Sequence, residues 1–158
     1  ITPNVGLAET AGLEVNNGIV VDNALRTSHP DVYAAGDVAN FCDQWLGVRR
    51  RVEHEDAANS MGRVAGRAMT GADVAYDHSP IFYSDMFDLG YEAVGRLDAR
   101  LETVADWQEP YRQGVIYYLE QKRVCGVLLW NVWDKVDEAR QLLAEPGPFH
   151  AEALQQRL

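Results

Sequence analysis

The amino-acid sequence predicts an α/β segment followed by an α+β domain with a mainly antiparallel five-stranded sheet and C-terminal helices. Before about residue 77, short apolar runs alternate with helical periodicity, which is typical of α/β structure. After Pro80, five strand-like runs follow one another with only turn residues between them. Strands joined by short turns pair in antiparallel fashion, since a parallel pair needs a long crossover. We therefore predict two domains, at residues 1–79 and 80–158.

The first segment contains four predicted elements: a short helix at residues 4–12, strands at 18–21 and 32–35, and a long helix at about 53–70. Turn signals precede both strands, and the long helix has an apolar stripe at 3.6-residue spacing. Acidic side chains crowd its first turn, where the helix dipole favours them, and Gly71 ends it. Gly62 and Gly66 fall on one face of this helix, and we expect both to pack closely in the core.

The second segment is predicted to be a meander of strands followed by helices. Strand-like runs occupy residues 81–87, 90–97, 101–107, 114–120 and 123–130. A helix is predicted from about Asp134 to Ala144, because its apolar residues share one face and Pro146-Gly147-Pro148 follows it. A last short helix is predicted over residues 150–158.

The chain of 158 residues carries a formal net charge of −10. This charge argues against nucleic acid and against anionic membrane surfaces as main partners. No apolar run approaches the ~20 residues that a membrane-spanning helix needs. Arg49, Arg50 and Arg51 form a dense basic cluster. We expect a solvated loop there, and the alternative is a contact for a phosphate or an acidic partner.

The chain begins ITPNVGLAET, without an initial Met, and we expect it to be the C-terminal piece of a longer protein. A targeting region would lie upstream, so a cytoplasmic location is a default expectation.

Cys42 and Cys125 lie far apart without metal-ligand spacing, which predicts two free buried thiols and no metal site. The scattered histidines are expected to be solvated: His29, His78 and His150.

A candidate ligand-binding turn follows the predicted strand at residues 32–35. The apolar run stops at Gly36-Asp37, and Gly36 lets the backbone approach a ligand because it has no Cβ. Asp37 would lie just past the carboxyl end of the strand, where open α/β sheets bind ligands. Its carboxylate can accept hydrogen bonds from sugar-alcohol hydroxyls. The alternative is a tight turn in which Asp37 caps the next element.

Five stretches of the sequence carry a family resemblance. They read PNVGLAETAGLEV at residues 3–15, VYAAGDVANF at 32–41, RRRVEHEDAANSMGRVAGRAMTG at 49–71, SPIFYSDMFDLGYEAVGRL at 79–97 and GVIYYLEQKRVCGVLLWNVW at 114–133. Together they resemble the C-terminal half of the apoptosis-inducing factor-like and ferredoxin reductase-like branch of the FAD-dependent pyridine nucleotide-disulfide oxidoreductase superfamily. The resemblance implies that residues 1–79 are the last part of an incomplete Rossmann-like FAD-binding domain. Residues 80–158 would then be most of the C-terminal, dimerisation-type α+β domain.

The resemblance also implies cofactor-binding roles for a few residues. Asp37 would bind the ribityl hydroxyls of FAD, and Gly36 would give it room. Glu53 and His54 match a pair that these proteins place beside the flavin and nicotinamide rings, and a helix N-terminus there offers N–H donors to the flavin. Tyr83 falls where relatives carry an aromatic residue near the flavin. From the residues alone, Glu53 and His54 could be a plain capping pair, and Tyr83 a core residue of the sheet.

The resemblance implies an FAD-dependent NAD(P)H oxidoreductase, a flavoprotein that passes a hydride from nicotinamide to flavin and electrons to an acceptor such as a ferredoxin. No catalytic acid or base is assigned, because the cofactor carries the chemistry. An NADH-responsive redox-sensing or interaction flavoprotein with low turnover is the alternative, and a homodimer is compatible with either. A third interpretation is that this piece alone is a cofactor-free dimerisation module. Since it lacks a GxGxxG loop, we expect the isolated chain to bind FAD poorly, although residues 80–158 could fold by themselves.

Overall fold

Each half of the chain forms a sheet of its own in the computed structural model, which describes all residues from 1 to 158. The chain divides into two units, Ile1–His78 and Ser79–Leu158. Each unit has a separate core of buried apolar side chains. None of the helices combines the length and the apolar character needed to cross a membrane.

The first unit contains two helices and a three-stranded sheet. Its elements are α1 (Gly6–Thr10), β1 (Ile19–Val20), β2 (Ala39–Asp43), β3 (Val48–Arg50) and α2 (Glu55–Met69). Strand β2 lies in the middle, parallel to β1 and antiparallel to β3. A 3₁₀ turn at Gly36–Val38 leads directly into β2. Phe41 of β2 and Met61 of α2 are buried in the same core, where the Phe41 ring packs edge-on against Tyr76.

The strand predicted at residues 32–35 is wrong. This segment forms only an isolated bridge between Arg26 and Tyr33, and Val32 is 38% exposed. The sheet strand β2 begins instead at Ala39, after Gly36 has turned the chain with a φ of +73°. The apolar run therefore ends at the turn and does not enter the sheet. Strand β3 was also not predicted, because its residues were expected to form a loop.

Helix α2 begins at Glu55 and has His54 as its N-cap, two residues later than the sequence predicts. Its buried face carries Ala57, Met61, Ala65 and Ala68. The prediction that Gly62 and Gly66 pack in the core is wrong, since a Cβ added at either position meets no atom within 4 Å. Each glycine follows a buried residue by one position, and one residue turns a helix by about 100°, away from the core.

The second unit confirms the predicted five-stranded antiparallel sheet with C-terminal helices. Its elements are β4 (Ile81–Met86), β5 (Leu89–Gly95), β6 (Glu102–Glu109), β7 (Gln113–Glu120), β8 (Arg123–Trp130), α3 (Val136–Ala144) and α4 (Ala151–Leu154). The strand order is β4-β5-β8-β7-β6, and all neighbours are antiparallel. Leu142 and Leu143 of α3 and Leu154 of α4 are buried in one core with the central strands.

Candidate functional site

The Gly36-Asp37 turn lies against the start of helix α2. The backbone is extended at Ala35 and enters the left-handed region at Gly36, a conformation that glycine adopts without steric cost. A Cβ added at Gly36 would lie 3.4 Å from the Cβ of Ala58, so the turn also packs closely on the helix. Both the left-handed backbone and the close packing on Ala58 therefore favour glycine at position 36. The close approach of a ligand to Gly36 stays a prediction.

Asp37 is exposed on this turn. Its carboxylate accepts no hydrogen bond from the protein and forms no ion pair, although its backbone carbonyl accepts a hydrogen bond from Arg51 at 2.8 Å. The side chain does not cap the neighbouring element, because the 3₁₀ turn has no side-chain cap and begins after Ala35. The carboxylate oxygens thus remain available to hydroxyl donors from outside the chain.

His54 and Glu53 immediately precede helix α2. His54 is the N-cap residue of α2 and has an extended backbone, but its side chain makes no capping hydrogen bond to the helix amides. The first amides of an α-helix have no acceptor within the helix and can donate to another group. Burial, followed by the charge of Arg50, lowers the pKa of His54. The lowered pKa favours the neutral imidazole, so His54 adds little positive charge at the start of the helix.

Arg51 connects the two segments that carry the predicted site residues. Its side chain is only 8% exposed, and its Nη2 pairs with Glu53 Oε1 at 2.7 Å. Its Nη1 donates to the carbonyl of Asp37 at 2.8 Å, and Nη2 donates to the carbonyl of Ile1 at 3.2 Å. The sequence interpretation missed this role. One signal in the sequence could have predicted it. Gly47 lies between two short runs of residues, which is typical of the turn of a β-hairpin, and a hairpin orders the side chains that flank it.

The other two arginines of the basic cluster are also bound within the first unit. Arg49 donates to the carbonyl oxygens of Val21 and Asn40 at 3.0 and 2.6 Å. Arg50 pairs with the buried carboxylate of Asp43 at 2.6 Å. The expectation of a solvated loop is therefore wrong, since these guanidinium groups fix the hairpin.

A histidine–carboxylate hydrogen bond lies at the first turn of α2. His78 Nε2 is 2.5 Å from Asp56 Oδ2, and both side chains are about 30% exposed. The expectation that His78 is solvated is therefore wrong.

Of the two cysteines, Cys125 is buried and Cys42 is half-buried, and both are free thiols.

Tyr83 belongs to the second unit, on the edge strand β4, where it lies opposite Glu92 of β5. Its side chain is 60% exposed, so the interpretation as a core residue of the sheet is wrong. The structure thus brings Gly36, Asp37, Glu53 and His54 together in the first unit. The flavin-binding role of Tyr83 stays a prediction.

Comparison with known protein families identifies the chain. Residues 1–62 match the family described as pyridine nucleotide-disulphide oxidoreductase. Residues 65–110 and 105–145 match the family described as apoptosis-inducing factor, mitochondrion-associated, C-term. The chain belongs to the apoptosis-inducing factor and ferredoxin reductase branch of the pyridine nucleotide-disulphide oxidoreductases. The resemblance drawn from the sequence motifs is thereby confirmed.

Individual relatives of the chain come from both parts of the branch. It is 40% identical over 158 residues to apoptosis-inducing factor 1, mitochondrial, of Dictyostelium discoideum, covering 90% of the chain and 30% of that protein. It is 32% identical over 145 residues to the ferredoxin–NAD(+) reductase component of the anthranilate 1,2-dioxygenase system of Burkholderia cepacia, covering 91% of the chain and 36% of that protein. The chain spans about a third of the length of these relatives.

A solved structure supports the same fold. The crystal structure of the covalent putidaredoxin reductase–putidaredoxin complex matches with a TM-score of 0.83 and 29% identity. The match covers 97% of this chain and 37% of the chain in that structure.

The groups in the first unit are compatible with the FAD that the family implies. The Asp37 carboxylate offers acceptors to the hydroxyls of a ribityl chain and has no partner in the protein. The start of α2, which lacks a side-chain cap, offers amide donors to the carbonyl oxygens of a flavin. Gly36 lets the turn lie close to α2, since a Cβ added there would be 3.4 Å from the Cβ of Ala58.

Proposed function

We propose that this chain is the C-terminal part of an FAD-dependent NAD(P)H oxidoreductase that delivers electrons to an acceptor such as a ferredoxin. The observation that carries the proposal is the Asp37 carboxylate, which has no protein partner and lies on a glycine turn that packs on the uncapped start of α2. An acceptor and a set of donors in that arrangement suit a cofactor with a polyol chain and a carbonyl-rich ring. The flavin, when bound, supplies the hydride-accepting chemistry.

In this proposal the chain binds and orients its cofactors and takes no proton during hydride transfer. Asp37 accepts hydrogen bonds from ribityl hydroxyls, and the amides at the start of α2 donate to the flavin ring. Neutral His54, with Glu53, lies beside the flavin and nicotinamide rings. Tyr83, in the second unit, has an exposed aromatic side chain, and its role near the flavin stays a prediction from the family resemblance.

A ferredoxin-like acceptor is supported by the relatives. The Burkholderia cepacia relative is named as the ferredoxin–NAD(+) reductase component of a dioxygenase system. The structural relative is putidaredoxin reductase in a complex with putidaredoxin. We therefore expect the full-length protein to reduce a ferredoxin of the kind that serves oxygenases.

Substitution of Asp37 tests the cofactor site in the full-length protein. Asp37→Asn should weaken FAD binding by about 10- to 100-fold, since hydrogen bonds to a charged group contribute roughly 1.5–3 kcal/mol. The dissociation constant is measured by quenching of flavin fluorescence. Asp31→Asn is the matched control, because Asp31 is also exposed and precedes the turn. Equal affinities for both variants would show that Asp37 does not bind FAD, and a wild-type protein without flavin absorbance would refute the proposed function.

The second candidate is an NADH-responsive flavoprotein with low turnover. The observations that favour it are the match to the C-terminal model of apoptosis-inducing factor and the 40% identity to the Dictyostelium discoideum relative. One equivalent of NADH would then bleach the flavin absorbance for minutes in air, without fast ferredoxin reduction. Rapid steady-state reduction of a ferredoxin supports the reductase instead.

A further inference from the structure

Arg51 joins the two segments that the proposed function assigns to the cofactor. Its guanidinium group binds the backbone carbonyl of Asp37 on one side and the carboxylate of Glu53 on the other, at 2.8 and 2.7 Å. Asp37 lies 14 residues before Arg51 in the sequence, so the side chain of Arg51 connects the Asp37 turn directly to the segment that precedes α2. A planar guanidinium with several donors can make these contacts at once, whereas a lysine ammonium on a flexible stem cannot reproduce the geometry.

The space around Arg51 is shaped for this side chain. A Cβ added at Gly18, whose φ is +119°, would lie 2.9 Å from Arg51 Cδ and 2.6 Å from the carbonyl oxygen of Val38. Glycine at this position therefore leaves room for the arginine stem. With its side chain only 8% exposed, Arg51 is held in place from several sides.

The pairing also resolves a charge conflict at Glu53. A reduced flavin carries negative charge, so a carboxylate beside it disfavours reduction unless a cation offsets the carboxylate. Arg51 supplies that cation at 2.7 Å, in a position that is largely shielded from solvent. The side chain of Glu53 is 30% exposed, so the pair is partly buried and is screened less by salt than a fully exposed pair would be.

We propose that Arg51 is a positioning residue that fixes the Asp37 turn and neutralises Glu53, and thereby sets the reduction potential of the bound flavin. The inference rests on the proposed function, because it concerns the same site. Arg51 needs no contact with the flavin itself, since it acts through the Asp37 carbonyl and the Glu53 carboxylate.

The test measures the flavin midpoint potential in the full-length protein. Arg51→Gln should shift the potential to a more negative value, because it leaves the Glu53 charge without its cation. Glu53→Gln should shift it to a more positive value, and the double variant should lie close to the wild type. Arg51→Lys should keep the potential near that of the wild type while it weakens FAD binding by about tenfold, since the charge remains and the fork geometry is lost.

Arg49→Gln is the matched control. Arg49 also donates to two backbone carbonyls of the first unit, but neither acceptor carries a charge. A purely structural role for Arg51 predicts that Arg49→Gln and Arg51→Gln lower the melting temperature alike and leave the potential unchanged, which would overturn the inference. If Arg51→Gln does not fold, an unchanged potential in Glu53→Gln overturns it equally. A wild-type protein that binds no FAD would instead refute the proposed function.

Discussion

At the scale of single residues, Tyr117 shows how the fold changes the chemistry of a side chain. It lies on the central region of the second sheet and has no solvent-exposed surface. Burial, assisted by the negative charge of Asp106, raises the pKa of Tyr117 to about 12. The folded protein therefore holds the phenol proton more tightly than the unfolded chain does.

Tyr117→Phe should change how stability depends on pH. The contribution of the neutral phenol is complete below about pH 10, the unfolded pKa, and disappears as the pH rises toward 12. Two pKa units correspond to about 3 kcal/mol, so the wild type should lose up to that amount across this window. Urea unfolding at pH 9 and at pH 11 measures the difference in free energy of unfolding. Tyr111→Phe serves as control, because Tyr111 is exposed, and an equal pH dependence in all three proteins would contradict the prediction.

Single residues also show where sequence interpretation ends. The turn at Gly36-Asp37 could be predicted, because a glycine followed by a short acid is a strong local signal. The partners of Arg51 and His78 could not be predicted, since a carbonyl or a carboxylate from a distant segment leaves no mark on the local pattern. Tyr83 looked apolar and strand-like, but its place on an edge strand exposes it.

At the scale of elements, helix α2 has one buried face and one open face. The open face includes Gly62 and Gly66, around which an added Cβ meets no atom. The five strands of the second unit were predicted to within about two residues, because alternating apolar residues and turn signals mark them directly. Strand β2 was missed because its burial depends on pairing with β1, which is 20 residues away in the sequence at Ile19↔Ala39.

Gly62→Ala should stabilise the chain by about 0.5–1 kcal/mol, because alanine is the better helix former and its methyl group meets no neighbour. Gly18→Ala should destabilise it by about 1–3 kcal/mol, because its φ of +119° is strained for alanine and its Cβ would contact Val38 and Arg51. Thermal unfolding followed by circular dichroism measures both changes. Loss of stability in Gly62→Ala would show that this face of α2 is covered in solution.

At the scale of the whole molecule, each unit has its own core. The second unit contains a complete five-stranded sheet, and α3 and α4 contribute to its core. The first unit has a three-stranded sheet with a two-residue edge strand, β1. The assignment of residues 1–79 to an FAD domain and of 80–158 to a C-terminal domain stays a prediction, because motif resemblance and not residue chemistry supports it.

Residues 79–158 should fold when they are produced alone. Their buried side chains come from elements of the same unit, so the fragment retains its whole core. Calorimetry should show one cooperative unfolding transition, and the fragment should carry no flavin absorbance. Leu142→Ala should lower its stability by about 2–5 kcal/mol by leaving a cavity, while exposed Gln141→Ala should change it little. A fragment without a cooperative transition would contradict the independence of the second unit.

The open face of α2 has a practical consequence for spectroscopy. Gly66 lies on α2, the helix whose N-cap is His54. A Cβ added at Gly66 meets no atom within 4 Å. A cysteine introduced there could carry a nitroxide or a fluorophore without disturbing the core, once half-buried Cys42 has been replaced by serine. A change in the signal of such a label when FAD is added to the full-length protein would report cofactor loading in real time.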